Sequence, residues 1–254
     1  MPLNYARSLA GRERSAQGDR RLGYTLTFVA GATNAGGFLA VAQYTSHMTG
    51  IVSAMADHVA LAEYALVLGG AGALLSFLAG AACSAVLVNF ARGRQLHSEY
   101  ALPLLLEAAL LLVFGLLGAR LVLIDALWVP LAVMLLCFIM GLQNAVISKL
   151  SRAEIRTTHV TGMATDLGIE LGKLVYRNGA AATGRPKVMA DRARLRVLAL
   201  MLLCFFGGGV AGAVGFKHIG FASTLPLALA LVMLAGIPAA DDLAEAVRKR
   251  RRTL

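Results

Sequence analysis

The chain has 254 residues, of which 58% are hydrophobic and 15% charged, with a formal net charge of +10. With a mean hydropathy of +0.70, this composition excludes an ordinary water-soluble domain and points to a membrane protein. Cys83, Cys137 and Cys204 lie in different apolar stretches; their spacing fits no zinc motif and their odd number frames no disulfide scaffold, so they read as small apolar filler.

Residues 1–21 form a basic segment holding Arg7, Arg12, Arg14, Arg20 and Arg21, without the separate apolar region of a cleaved signal peptide. Six stretches of membrane-crossing helical length follow: Leu22–Ala42, Tyr64–Phe90, Ala101–Ile124, Ala126–Ser148, Leu195–Phe216 and Phe221–Pro238. They are too long and uniformly apolar for the alternating strands of an outer-membrane barrel. The expected fold is all-α, a polytopic membrane helix bundle of about six spans with two short re-entrant or interfacial helices. Residues 22–124 form a first membrane repeat and 125–238 a second, with a cytoplasmic loop at 176–194. A basic cytoplasmic tail occupies 239–254.

The division into repeats rests on a phrase that occurs twice. Thr45-Ser46-His47-Met48-Thr49-Gly50 is matched by Thr157-Thr158-His159-Val160-Thr161-Gly162. Composition alone gives on the order of 0.02–0.03 chance copies of His-x-Thr-Gly per chain, so two copies argue for duplication. Gly31-x-x-Asn34 and Gly141-x-x-Asn144 recur at nearly the same offset. Each half holds three spans, an odd number, so the two repeats are expected to be inverted, with a substrate site near the midplane at discontinuous helices.

Charge sets the orientation. With six spans, 22 Lys and Arg fall on the side of the N-terminus, and only Arg120 and Lys217 on the other. Eight spans would divide them 18 to 6. The stronger asymmetry places both termini in the cytoplasm. The tail Arg248-Lys249-Arg250-Arg251-Arg252 reads as an anionic-lipid contact and topology anchor rather than a nucleic-acid site. The remaining partners expected are the bilayer, a small polar or anionic solute, and, compatible with but not required by the sequence, a second copy of the chain.

Polar groups at membrane depth supply the candidate site. Thr49 and Thr161 can cap the short helices that follow, and Gly50 and Gly162 let the chain turn and leave backbone N–H groups open. A helix N-terminus there attracts a polar or anionic group. His47 and His159 could donate to a solute or relay a proton. Asn34 and Asn144 sit on the faces of their glycines, aimed toward the same place. For ion coupling the candidates are Asp57, Asp166 and Glu107, the last isolated in an apolar stretch about 9 Å from its start. No catalytic set, metal cluster or cofactor motif is evident. The small residues Gly72, Ser76, Gly80, Ser84, Gly208 and Gly212 read as packing seams.

Gly31-Ala-Thr-Asn-Ala-Gly-Gly37, Ser46-His-Met-Thr-Gly50, Gly141-Leu-Gln-Asn-Ala145 and the long block Arg156–Gly172 resemble the YoaK family, domain of unknown function 1275, over about residues 22–238. Ile51 departs from the Asn that usually follows the first phrase in that family. The resemblance implies a bacterial inner-membrane protein of multiple helices; it implies no activity. The leading reading is therefore a secondary transporter or exporter and not an enzyme. The alternatives are a non-catalytic scaffold or sensor, and less favoured an intramembrane enzyme.

Overall fold

The computed structural model describes residues 16–96, 98–121, 125–150, 158–177 and 187–252. Among these the secondary structure is helical, without strands: α1 Ala16–Val41, α2 Met48–Ala60, α3 Tyr64–Gly93, α4 Ala101–Leu121, α5 Asp125–Leu150, α6 Val160–Val175, α7 Arg192–Ile219 and α8 Thr224–Arg252, with a 3₁₀ turn at Gly220–Ser223 joining the last two. Each of the six expected spans and both short helices is present as a helix. Four stretches are long and apolar enough to cross a membrane: Tyr64–Gly93, Ala101–Ala119, Val129–Lys149 and Arg192–Asp242. The last is 51 residues long and takes in α7 and α8 as far as Asp242. α1 falls outside this group because Thr25, Thr27, Thr33 and Asn34 dilute its apolar residues; it is instead the helix most enclosed by its neighbours.

Two long-helix pairings dominate, α1 against α7 and α3 against α5, and α4 lies along α8. The first two are built on the same contact. Each of the four helices carries a Phe-x-x-Gly at its crossing, Phe28/Gly31, Phe77/Gly80, Phe138/Gly141 and Phe205/Gly208. The α-carbon of Gly31 rests on the carbonyl of Phe205, and that of Gly208 on the carbonyl of Phe28. Gly80 rests on the carbonyl of Phe138, and Gly141 on that of Phe77. A side-chain carbon at any of the four would strike backbone, which cannot move aside as a flexible side chain can. Gly212 adds a further close approach, to Ala32. The expected seams on α3 and α7 are therefore real at Gly80, Gly208 and Gly212, where small residues replace side-chain interdigitation with backbone contact.

Leu22, Leu26, Leu104, Leu111, Ile139 and Leu231 fill the core between α1, α4, α5 and α8. A second cluster, with Ile51, Ala73, Phe114, Leu136 and Cys137, packs beneath α2. Large apolar side chains also cover the outside, including Leu68, Leu75, Val86, Leu116 and Phe206, as in a protein whose solvent is hydrocarbon.

Helix ends are set by backbone geometry. After α2, Ala62 takes a left-handed conformation (φ 57°), and the N–H groups of Ala62 and Glu63 donate to Val59 and His58. After α3, Gln95 (φ 53°) does the same, with Gln95 and Leu96 donating to Arg92 and Ala91. Both are helix stops of the kind usually given to glycine. α8 runs through Pro238 to Arg252, so the basic tail continues the last helix.

Replacing Gly31 or Gly141 with Ala is expected to destabilise the folded protein by about 1–3 kcal/mol, as overpacking does. Gly69→Ala, at a helical position with nothing near the added carbon, serves as control. Thermal unfolding in detergent reads the difference; equal melting of all three variants would remove the crossings as a stabilising feature.

Candidate functional site

α1 and α5 end in equivalent ways. Three residues beyond the seated glycines, on the same helical face, come Asn34 and Asn144. Asn34 is 8% exposed. Its Oδ1 accepts the backbone N–H of Ser46 at 3.3 Å and the Ser46 hydroxyl at 2.9 Å. A backbone N–H can only donate, so the atom facing it is the carbonyl oxygen and the amide NH₂ is turned away. Asn144 Oδ1 likewise accepts the Thr158 hydroxyl at 2.8 Å. Ser46 and Thr158 hold the same place in the two His phrases, so the duplication extends to a single hydrogen bond.

The helix starts correct two expectations. His47 and His159, not the threonines, are the N-cap residues of α2 and α6, and neither helix has a side-chain capping bond. The ladder begins earlier than the Thr-Gly pairs suggest, because the His47 and His159 carbonyls already accept Ile51 N–H (3.1 Å) and Met163 N–H (3.0 Å). Thr49 and Thr161 therefore lie within the first turn. Gly50 and Gly162 make no sharp turn either: among the described glycines only Gly220 has a positive φ. A β-carbon at Gly50 would meet the His47 ring, and one at Gly162 the His159 ring. The glycines make room for an imidazole folded over its own helix start.

The two halves meet at a cavity of about 870 Å³. Asn34, His47 and Thr49 line it from the first half, and Asn144, His159 and Thr161 from the second. Ser46 and Thr158 contribute their hydroxyl ends, and Phe77 and Phe205, the residues whose carbonyls seat the crossing glycines, form apolar walls. Among the described residues the lining holds no Asp, Glu, Lys or Arg. Tyr44, stacked on Phe38 with ring centroids 4.5 Å apart, stands with His47 between this cavity and a second one of about 560 Å³, which Gly50 borders.

The expected coupling carboxylates lie elsewhere. Asp57 is exposed on α2. Asp166 pairs with Arg194 at 3.0 Å, a partner 28 residues away that no spacing singles out. Glu107 is fully buried in α4, where its Oε1 accepts Gln143 Nε2 at 2.8 Å; Glu107 Oε2 and Gln143 Oε1 have no hydrogen-bond partner among the described residues. Gln143, Ser46 and Thr158 are the polar residues that sequence reasoning passed over. The shared hydroxyl of the two phrases was the available signal for the last two; nothing marked Gln143.

Charge ties α6 to the start of α7. Besides the Asp166–Arg194 pair, Glu170 accepts Lys173 Nζ and the Asp191 N–H, both at 2.8 Å. Asp191 caps α7 by accepting from Ala193 and Arg194 N–H. The Lys173 ammonium, and then the Asp191 N–H, hold the Glu170 carboxyl below its ordinary value.

Residues 22–237 match a family described as a protein of unknown function, DUF1275. The chain belongs to this family. No curated protein and no solved structure matches it. The family match spans both His phrases, both crossings and all the cavity-lining residues.

A carboxylate depressed in the folded state stabilises fully above its unfolded value, here the ordinary 4.5, and loses that contribution as pH falls through the folded value. Glu170→Gln should therefore melt below wild type at pH 7, with the gap closing as the pH drops below 4.5. A gap independent of pH would assign the contact to packing instead of charge.

Proposed function

We propose that this DUF1275 chain is a six-span protein of a bacterial inner membrane, with both termini cytoplasmic, built from two inverted repeats. In this reading it is a secondary transporter or exporter of a small polar or anionic solute. The observation that carries the reading is the single cavity lined by Asn, His and Thr from both phrases. Inverted repeats place substrate sites where the starts of broken helices converge, and α2 and α6 are the two short helices that begin at the cavity. Support for the repeats comes from the reciprocal glycine contacts, which pair α1 with α7 and α5 with α3.

Alternating access then amounts to one half rocking against the other about the cavity. The backbone-on-backbone crossings suit such a motion, because they present few side-chain knobs to disengage. Glu107 is the foremost coupling group: it is buried beside Gln143, the residue preceding cavity-lining Asn144. Asp166 and Asp57 take the lesser place, being outside the cavity. Anionic lipids would hold the basic ends.

Thr49→Val and Thr161→Val remove a cavity hydroxyl while leaving the capping residues intact. Transport in reconstituted vesicles should fall at least tenfold with folded protein at wild-type abundance; parallel loss of both would favour a scaffold. Glu107→Gln should abolish accumulation driven by an imposed pH gradient and retain solute exchange. Reporters fused after Gly184 and Val247 should read cytoplasmic and one after Lys217 external; an external reading at Gly184 rules out the six-span arrangement.

A further inference from the structure

The lining chemistry narrows the solute, on the footing of the transport reading just given. Asn34 is more than nine-tenths buried, and its oxygen is consumed by the two Ser46 donors. Asn34 lines the cavity, and its NH₂ group, at the end opposite the Ser46 donors, makes no hydrogen bond to any described residue. Asn144 repeats this arrangement through Thr158. To these amide donors are added the starts of α2 and α6. The first-turn N–H groups there precede the first intrahelical donors, Ile51 and Met163, and no side chain caps them. The site thus offers donors from both halves, carries the partial positive ends of two helices, and has among the described residues no carboxylate to receive a cation.

We propose that the cavity binds an oxyanion, organic carboxylate or inorganic, whose oxygens take the Asn34 and Asn144 amide N–H groups. Ser46 and Thr158 are positioning residues: by engaging Oδ1 they fix which end of each amide faces the solute. An amide free to flip would present an acceptor as readily as a donor, and discrimination between an anion and a neutral polar molecule would be lost.

The test uses purified full-length protein at constant ionic strength in chloride. Acetate, succinate, nitrate and sulfate are compared with the uncharged acetamide, succinamide and urea, by thermal shift and by flux in proteoliposomes. At least one oxyanion, and not the neutral compounds, is expected to raise the melting temperature. The carboxylate and inorganic arms separate the two sources of the group. Asn34→Asp preserves the acceptor held by Ser46 and replaces the donor with a negative oxygen, so oxyanion affinity should drop about tenfold or more. Asn144→Asp provides the same reading from the other half should the first variant misfold. Thr158→Val, which removes the hydroxyl donor on Asn144 Oδ1, should narrow the gap between acetate and acetamide, which a merely structural role would leave unchanged. Neutral compounds binding as well as the anions, no shift with any oxyanion, or unaltered affinity in both Asp variants overturns the oxyanion proposal. Flux of a neutral solute in that case leaves the transport reading standing. Oxyanion binding without flux of any compound overturns transport and leaves the site.

Discussion

Everything in this structure that concerns the cavity depends on a glycine lying on a carbonyl. At five glycines, Gly212 included, a helix comes so close to its partner that an added β-carbon would strike backbone oxygen. Because the asparagines follow two of these glycines by one turn, the depth of the crossing decides where their amides stand. A larger residue at Gly31 would not merely loosen α1 against α7. It would carry Asn34 away from Ser46 and from the space it shares with Asn144.

The halves resemble each other in what they bring to the cavity and differ in how they secure it. α6 is tied to α7 by carboxylates: Asp166 to Arg194, and Glu170 to the Asp191 N–H. α2 is fastened by apolar contact, with Ile51 in the core and Met55 against Gly70, and by the left-handed stop at Ala62 that folds it onto α3. The clamp on α6 rests on full charges, whereas that on α2 rests chiefly on packing, with the His58–Glu63 pair (2.7 Å) at its end. Any motion of the two short helices is therefore subject to different influences in the two halves.

Much of the architecture was legible because hydropathy and length act locally. The six expected stretches are helices, and the His phrase identified two helix starts that converge on one cavity. Three things were harder. Thr is a favoured capping residue, but which carbonyl first joins the ladder depends on how the chain enters the helix, and that made His47 and His159 the caps. Glu107 and Gln143 are 36 residues apart on different helices, and their pairing follows from the packing of α4 on α5, which no spacing announces. The Phe-x-x-Gly repetition was present in the sequence, yet its meaning as a reciprocal contact requires knowing which helices face each other.

The crossings also interleave the chain, with a consequence for its synthesis. α1 finds its principal partner in α7, more than 160 residues later in the sequence, and α3 must wait for α5. The first half thus leaves the ribosome with its two glycine seats open. Thr27, Thr33 and Asn34, buried in the finished protein, have little to bury them until Arg192–Ile219 has been made. A nascent chain of this design needs either a protected place beside the insertion machinery or another copy's matching helix. Truncation after α4 would leave an adhesive fragment, not half a working protein.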